Sequence, residues 1–164
     1  MQIVICPGVH SPTLTDRFIA SVPIHSPHVI DSDRTPIYSP RHILSHLPTS
    51  PIFFIAFSAG VVGAIGAARL YDQQGGTVRG LVAIDGWGVP LFAPFPIHRM
   101  SHDRFTDWSS ALLGSGKENF YADPAVEHLT MWRAPHTVLG IGAGRAITAA
   151  QFIAELIERY QCDR

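Results

Sequence analysis

The chain predicts an α/β fold: a mostly parallel sheet of about five strands with helices on both faces. Three observations carry this. Short apolar runs at 2–6, 52–57 and 78–84 alternate with segments of helical spacing. The runs are almost wholly apolar instead of alternating, as strands covered on both faces are. The chemistry-bearing residues fall just after the runs, at the carboxyl ends of the strands, where such sheets place their pockets.

Each element has its own reason. Gln2–Cys6 is rich in β-branched residues and stops at Pro7-Gly8. Leu14, Phe18, Ile19 and Val22 then recur at helical spacing, with Thr13 or Thr15 as cap. His28-Val29-Ile30 reads as a weak strand, and 31–36 as a polar loop. Pro40 to Leu47 predicts a short helix with Ile43, Leu44 and Leu47 inward. Ile52–Phe57 is the strongest strand and Ala59–Tyr71 the strongest helix, ended by Gly75-Gly76. Val78–Ile84 is a further strand, running into Asp85-Gly86-Trp87-Gly88. From there to about 135, prolines and histidines break the pattern. A helix near 105–113, a short strand at 120–122 and a helix over 124–132 are expected there, the last with Pro124 at its first position. A last strand at 137–141 and an amphipathic helix over 146–160 close the chain.

The 164 residues are expected to form one domain, 1–164, with a sizeable core. A net charge of −1 gives no electrostatic case for nucleic acid or anionic membrane. Cys6 and Cys162 lie at opposite ends and make neither a disulfide framework nor a metal-ligand spacing. The first residues lack a basic region, and their apolar run is too short for a signal peptide, so a cytoplasmic protein is expected. Residues 51–68 approach the length of a membrane span. Their aromatic and β-branched first half and Gly/Ala second half fit a strand followed by a helix better, and no membrane span is expected.

The most informative stretch is Ile-Phe-Phe-Ile-Ala-Phe-Ser58-Ala-Gly60. A buried strand ends at a serine bracketed by small residues, and Gly63, Ala64, Gly66, Ala67 and Ala68 follow. A strand turning sharply into a helix needs small neighbours at Ala56 and Gly60, because the two elements nearly collide. The corner strains the serine backbone and presents Oγ at the sheet edge. The N–H of Ala59, at the helix start, is placed to stabilise an oxyanion.

The segment resembles the nucleophile elbow of the α/β-hydrolase family, with Ala56 where the usual G-x-S-x-G pattern has its first glycine. The likeness covers roughly residues 2–90 and the last helix, and the family's first two strands are missing. The chain looks like a minimal single-domain member. A narrower likeness is to short cyanobacterial-type hydrolase-fold proteins of unassigned substrate, through Asp-Gly-Trp-Gly-Val-Pro-Leu at 85–91 and Phe-Tyr-Ala-Asp-Pro at 120–124. The resemblance implies a serine, then an acid, then a histidine in chain order. It makes Ser58 the nucleophile and Asp85 the acid. It also implies a second oxyanion N–H from the Pro7–Pro12 loop, at Val9 or His10. Asp85 has the plainer reading of structuring its Asp-Gly turn.

Nine histidines are present. A triad histidine belongs on a late loop, reaching the serine with one nitrogen and the acid with the other. His128 suits that place best, and His102 follows, able to fold back from beyond the Asp85 loop. His98, His10 and none at all remain open. Trp87, Phe92, Phe95 and Trp108 belong near the pocket mouth. The 140–144 glycines are turn glycines before they are a phosphate cradle, and His98, His102 and Asp103 share a loop without a metal-ligand spacing. No metal and no cofactor are expected. The function implied is hydrolysis of a small ester, thioester or amide. Acyl transfer to another acceptor uses the same residues. The rival is a non-catalytic hydrolase-fold protein that binds a ligand or partner. The two separate on whether a histidine lies within reach of Ser58.

Overall fold

The computed structural model describes residues 1–34 and 36–162. Thr35, in the expected polar loop, lies outside them. One eight-stranded sheet organises the chain, with β1 (Gln2–Cys6), β2 (His28–Val29), β3 (Ile52–Phe57), β4 (Val78–Ile84), β5 (Ile97–Ser101), β6 (Asn119–Ala122), β7 (Leu139–Gly142) and β8 (Arg145–Thr148). Their order is β2-β1-β3-β4-β5-β6-β7-β8. The first six pair in parallel, and β6-β7-β8 run antiparallel. The α/β class and the mostly parallel sheet hold; the expected count of about five strands is corrected to eight.

Helices cover both faces: α1 (Pro12–Ser21), α2 (Pro40–Leu44), α3 (Ala59–Gln73), α4 (Arg104–Ala111), α5 (Thr130–Arg133) and α6 (Ala149–Cys162). Side chains alternate across a strand, so each central strand feeds two cores. Ile3, Ile5, Phe53, Ile55, Phe57, Val82 and Ile84 pack against Phe18 of α1, Trp132 of α5 and the α6 face. Val4, Cys6, Phe54, Ala56, Leu81 and Ala83 pack against Ile43 of α2 and the Val61–Ala68 face of α3. Among the described residues no helix is long and apolar enough to cross a membrane. The 51–68 run is β3 followed by the first part of α3.

The extra strands have physical reasons. β5 reads Ile-His-Arg-Met-Ser, too polar to look like a buried strand, yet every residue in it is buried. Each of its two unusual side chains has partners. His98 meets Tyr160 Oη through Nε2 at 3.0 Å and the Glu118 carbonyl through Nδ1 at 3.2 Å. Arg99 donates to the carbonyls of Gly114, Val89 and Leu113 at 2.6, 3.1 and 3.1 Å. This also corrects the grouping of His98 with His102 and Asp103 on one loop. The 140–144 glycines belong to the β7-β8 hairpin. Ala143 and Gly144 both have positive φ, 50° and 79°, as a two-residue hairpin turn with its twist matched to the strands requires. That turn leaves no helix start beside the glycines: α6 begins only at Ala149, not 146.

Other boundaries shift. α1 starts at Pro12 with Ser11 before it, and neither Thr13 nor Thr15 is the cap. α2 stops at Leu44, short of Leu47. The helix expected over 124–132 shrinks to Thr130–Arg133. Asp123-Pro124 is a cis peptide, and the chain turns there instead of entering a helix.

Candidate active site

Strand register assembles the site. Cys6 pairs with Ala56, Phe57 with Ile84, Ile84 with Met100, and Ser101 with Tyr121. The Pro7-Gly8 loop, Ser58, Asp85, His102 and the loop leading to His128 therefore leave adjacent strands at the same, carboxyl-terminal edge. Two ladder bonds continue past the strand ends. Ser58 N–H donates to the Ile84 carbonyl at 2.9 Å, and Asp85 N–H to the Met100 carbonyl at 2.8 Å.

Ser58 sits at φ 52°, ψ −122°, directly before α3. A non-glycine residue with positive φ costs of order 1–3 kcal/mol and persists only where its surroundings over-determine it. Here Gly60 supplies the clearance: a Cβ on it would lie 2.4 Å from the carbonyl oxygens of both Cys6 and Pro7. Gly8 lets the neighbouring loop come close, since its Cβ would lie 3.1 Å from Ser58 Cβ. Asp85 also has positive φ, 50°, which aspartate tolerates better than most residues.

The Asp85 side chain is 2% exposed and fully engaged. Its Oδ2 accepts from His128 Nδ1 at 2.8 Å. Its Oδ1 accepts from the His102 backbone N–H at 2.8 Å and from His102 Nδ1 at 3.1 Å. His102 Nε2 lies 3.2 Å from Asp103 Oδ2. Hence both nitrogens of His102 face carboxylates. His128 spends only Nδ1 on one, and with the proton there its Nε2 carries a lone pair. The imidazole of His128 is stacked on Phe57, centroids 4.7 Å apart at 21°. Phe57 stacks in turn on Trp132 at 5.0 Å, and Trp132 on Phe18 at 3.8 Å.

A cavity of about 550 Å³ opens over these groups. Ser58, Ala59, Asp85, Trp87, His102 and His128 line it, with apolar walls from Val62, Val89 and Phe105. Segment 86–113 thus folds back as one wall of the site. Among the described residues Ser58 Oγ makes no hydrogen bond. Serine and His128 share the cavity without being joined, a looseness common in unliganded sites.

The side chains of Val9 and His10 do not line this cavity. Val9 and His10 line a smaller neighbouring hollow of about 140 Å³, and Val9 is largely exposed. The His10 ring packs near Phe57 and Trp132. Gly8, the residue before them, packs beside Ser58. Of the expected mouth aromatics, Phe95 is buried, while Phe92 and Trp108 are exposed and do not line the cavity. Phe57, Val62, Phe105 and the Val126–His102 contact carried no sequence signal as site components. Phe57 and Val62 read as ordinary core of a strand and a helix.

Asp85, His102 and His128 are also a group whose ligand atoms, all within 4.8 Å of one another, come close enough to hold a metal ion. In the present arrangement the Nδ1 atoms of both rings are spent on the Asp85 carboxylate. A cation would have to displace those two protons.

No family model matches this chain, and no curated protein sequence matches it. Among solved structures the chain is similar to YbtT, the type II thioesterase from the yersiniabactin NRPS/PKS biosynthetic pathway. The TM-score is 0.59 at 14% identity, over 98% of this chain and 92% of that one. At that identity the likeness speaks for the architecture alone. It agrees with the strand order in giving the chain a hydrolase-like α/β fold.

Proposed function

We propose that the protein is a serine hydrolase of small esters, thioesters or amides. The observation that carries this is the meeting of a strained elbow serine and a carboxylate-bound imidazole around one cavity with largely apolar walls. Ser58 Oγ attacks the substrate carbonyl while His128 Nε2 takes its proton. Asp85 holds the His128 tautomer through Nδ1 and stabilises the imidazolium that forms. The oxyanion is bound by the N–H of Ala59 and by an amide of the Pro7–Pro12 loop, at Val9 or His10. His128 returns the proton to the leaving alcohol, thiol or amine, and then activates the water that releases the acyl group from Ser58. Trp87, Val62 and Phe105 hold the apolar part of the substrate.

His128 is preferred to His102 as the base because its Nε2 is free of a carboxylate, whereas Nε2 of His102 faces Asp103. Thioesters are the first class to test, since the similar fold belongs to a thioesterase. The narrower likeness to short cyanobacterial-type proteins assigns no substrate.

The test is thiol release from short acyl N-acetylcysteamine thioesters, and p-nitrophenol release from the matching esters. Wild-type turnover lost in Ser58→Ala and His128→Ala supports the proposal. Equal turnover in Ser58→Ala refutes it. Turnover lost in a chelator and restored by zinc would move the reading to a metal at Asp85, His102 and His128. A folded wild type that binds acyl compounds without cleaving them would favour the non-catalytic rival.

A further inference from the structure

His102 is tied on every side. Its N–H and Nδ1 both donate to Asp85 Oδ1. Its carbonyl accepts from the Val126 N–H at 3.0 Å, on the loop that carries His128 two residues later. Its Nε2 faces Asp103 Oδ2, and the other oxygen of Asp103 caps α4 by accepting from the Thr106 N–H at 2.5 Å. The His102 and His128 rings lie 6.2 Å apart, nearly perpendicular, on opposite oxygens of one carboxylate. A carboxylate held by His128 alone would be free to rotate about its Cβ–Cγ bond. Bonds to the second oxygen remove that freedom.

From this we infer that His102 is a positioning residue: it fixes the Asp85 carboxylate and the Val126–His128 loop relative to each other. It stands at the centre of a chain Asp103–His102–Asp85–His128. The inference rests on the Ser58–His128–Asp85 reading above. Both ring nitrogens of His102 face carboxylates, and it acts through Asp85. A second consequence is electrostatic. The charge that His128 acquires as it takes the serine proton is met by a carboxylate whose orientation is already set, so no reorganisation is needed at that moment.

The experiment is the kinetics of phosphonylation by a fluorophosphonate, in which the Ser58 Oγ–P bond forms, the P–F bond breaks, fluoride leaves and His128 takes the serine proton. The maximal rate kinact reads activation of the serine, and the half-saturating concentration KI reads binding. His102→Ala keeps the backbone bond to Asp85 Oδ1 and removes the Nδ1 bond, so it is expected to lower kinact roughly tenfold, the low end for a hydrogen bond to a charged group, with KI changed less than about twofold. His102→Asn puts an amide N–H near the place of Nδ1 and is expected to recover kinact to within about threefold of wild type. Asp103→Asn keeps the α4 cap, since asparagine caps as well as aspartate, and is expected to lower kinact severalfold. Wild-type kinact in His102→Ala overturns the inference, as does a joint loss of kinact and KI that Asn does not recover. If His102→Ala fails to fold, wild-type kinact in Asp103→Asn overturns it. Abolition in His102→Ala with labelling retained in His128→Ala makes His102 the base, which also overturns it. No labelling of wild type overturns the underlying hydrolase reading instead.

Discussion

Ser58 holds its unusual backbone because three neighbours leave it little choice. Its N–H is bonded to Ile84, Gly8 packs beside its Cβ, and Gly60 admits the carbonyls of Cys6 and Pro7. Gly60→Ala places a methyl 2.4 Å from two backbone oxygens that belong to a strand end and cannot retreat cheaply. It is expected to cost about 3 kcal/mol in urea unfolding and to displace the elbow, with loss of activity beyond the loss of folded protein. At Asp85, replacement by Asn keeps the shape but removes the charge and confuses the tautomer of His128. The expected fall in kcat is on the order of 10³- to 10⁴-fold with an unchanged unfolding midpoint, read by steady-state kinetics on whichever acyl substrate the wild type turns over. The elbow was legible at this scale because its sterics demand small residues at fixed offsets. Asp85 and His128 were legible only as residues beyond strand ends. Nothing in the sequence tells which oxygen of Asp85 meets which ring, and the two-histidine arrangement around one carboxylate was not foreseen.

Between elements, a run of stacked rings leads from α1 to the site: Phe18, Trp132, Phe57 and His128. Trp132 is fully buried, and its Nε1 donates to Thr15 Oγ1 at 3.4 Å. Trp132→Ala is expected to destabilise by about 3–5 kcal/mol in denaturant unfolding. It should also lower kcat more than KM, because Phe57 loses the support that holds it against His128. β1, β3, β4 and α3 were readable because apolar runs and helical spacing are strong local signals. β5 was not, because its polar side chains are satisfied only by distant partners: Tyr160 and the 113–114 turn. The helix expected over 124–132 failed for a related reason. Pro124 suits a helix start, but the chain uses it in a turn whose next contact is Val126 to His102.

Across the whole molecule, two buried polar side chains of β5 govern response to conditions. His98 is wholly buried, and burial pushes its pKa from the ordinary 6.5 down to about 4. The neutral form is the native one, so the unfolded chain binds the proton more readily. The stabilisation is fully present above about pH 6.5 and is lost as pH falls toward 4. Its size is about 3 kcal/mol. Unfolding free energy measured between pH 7 and 4 should therefore fall more steeply in wild type than in His98→Leu, to the extent of this one group; parallel curves would refute the assignment. Arg99 pins the 86–91 loop to the 112–114 turn through three carbonyls, and so holds the cavity wall that carries Trp87. Burial lowers its pKa, with the nearby Asp107 opposing, and raises that of Asp107. Arg99→Met strands these acceptors and Asp107. It is expected to cost about 3 kcal/mol, read in a thermal or urea melt. The fold class was legible at this scale from alternating elements and from polar residues gathered after the strands. At the antiparallel end, strands near β6 and β7 were expected, and β8 was hidden behind glycines that read equally well as a loop.

The measurement that tests the central claim most directly is labelling of the folded protein by a fluorophosphonate probe, with Ser58→Ala and His128→Ala beside it. Labelling of wild type at one site, none in Ser58→Ala and little in His128→Ala is expected. A folded wild type that the probe leaves untouched, or labelling that persists in Ser58→Ala, would contradict it.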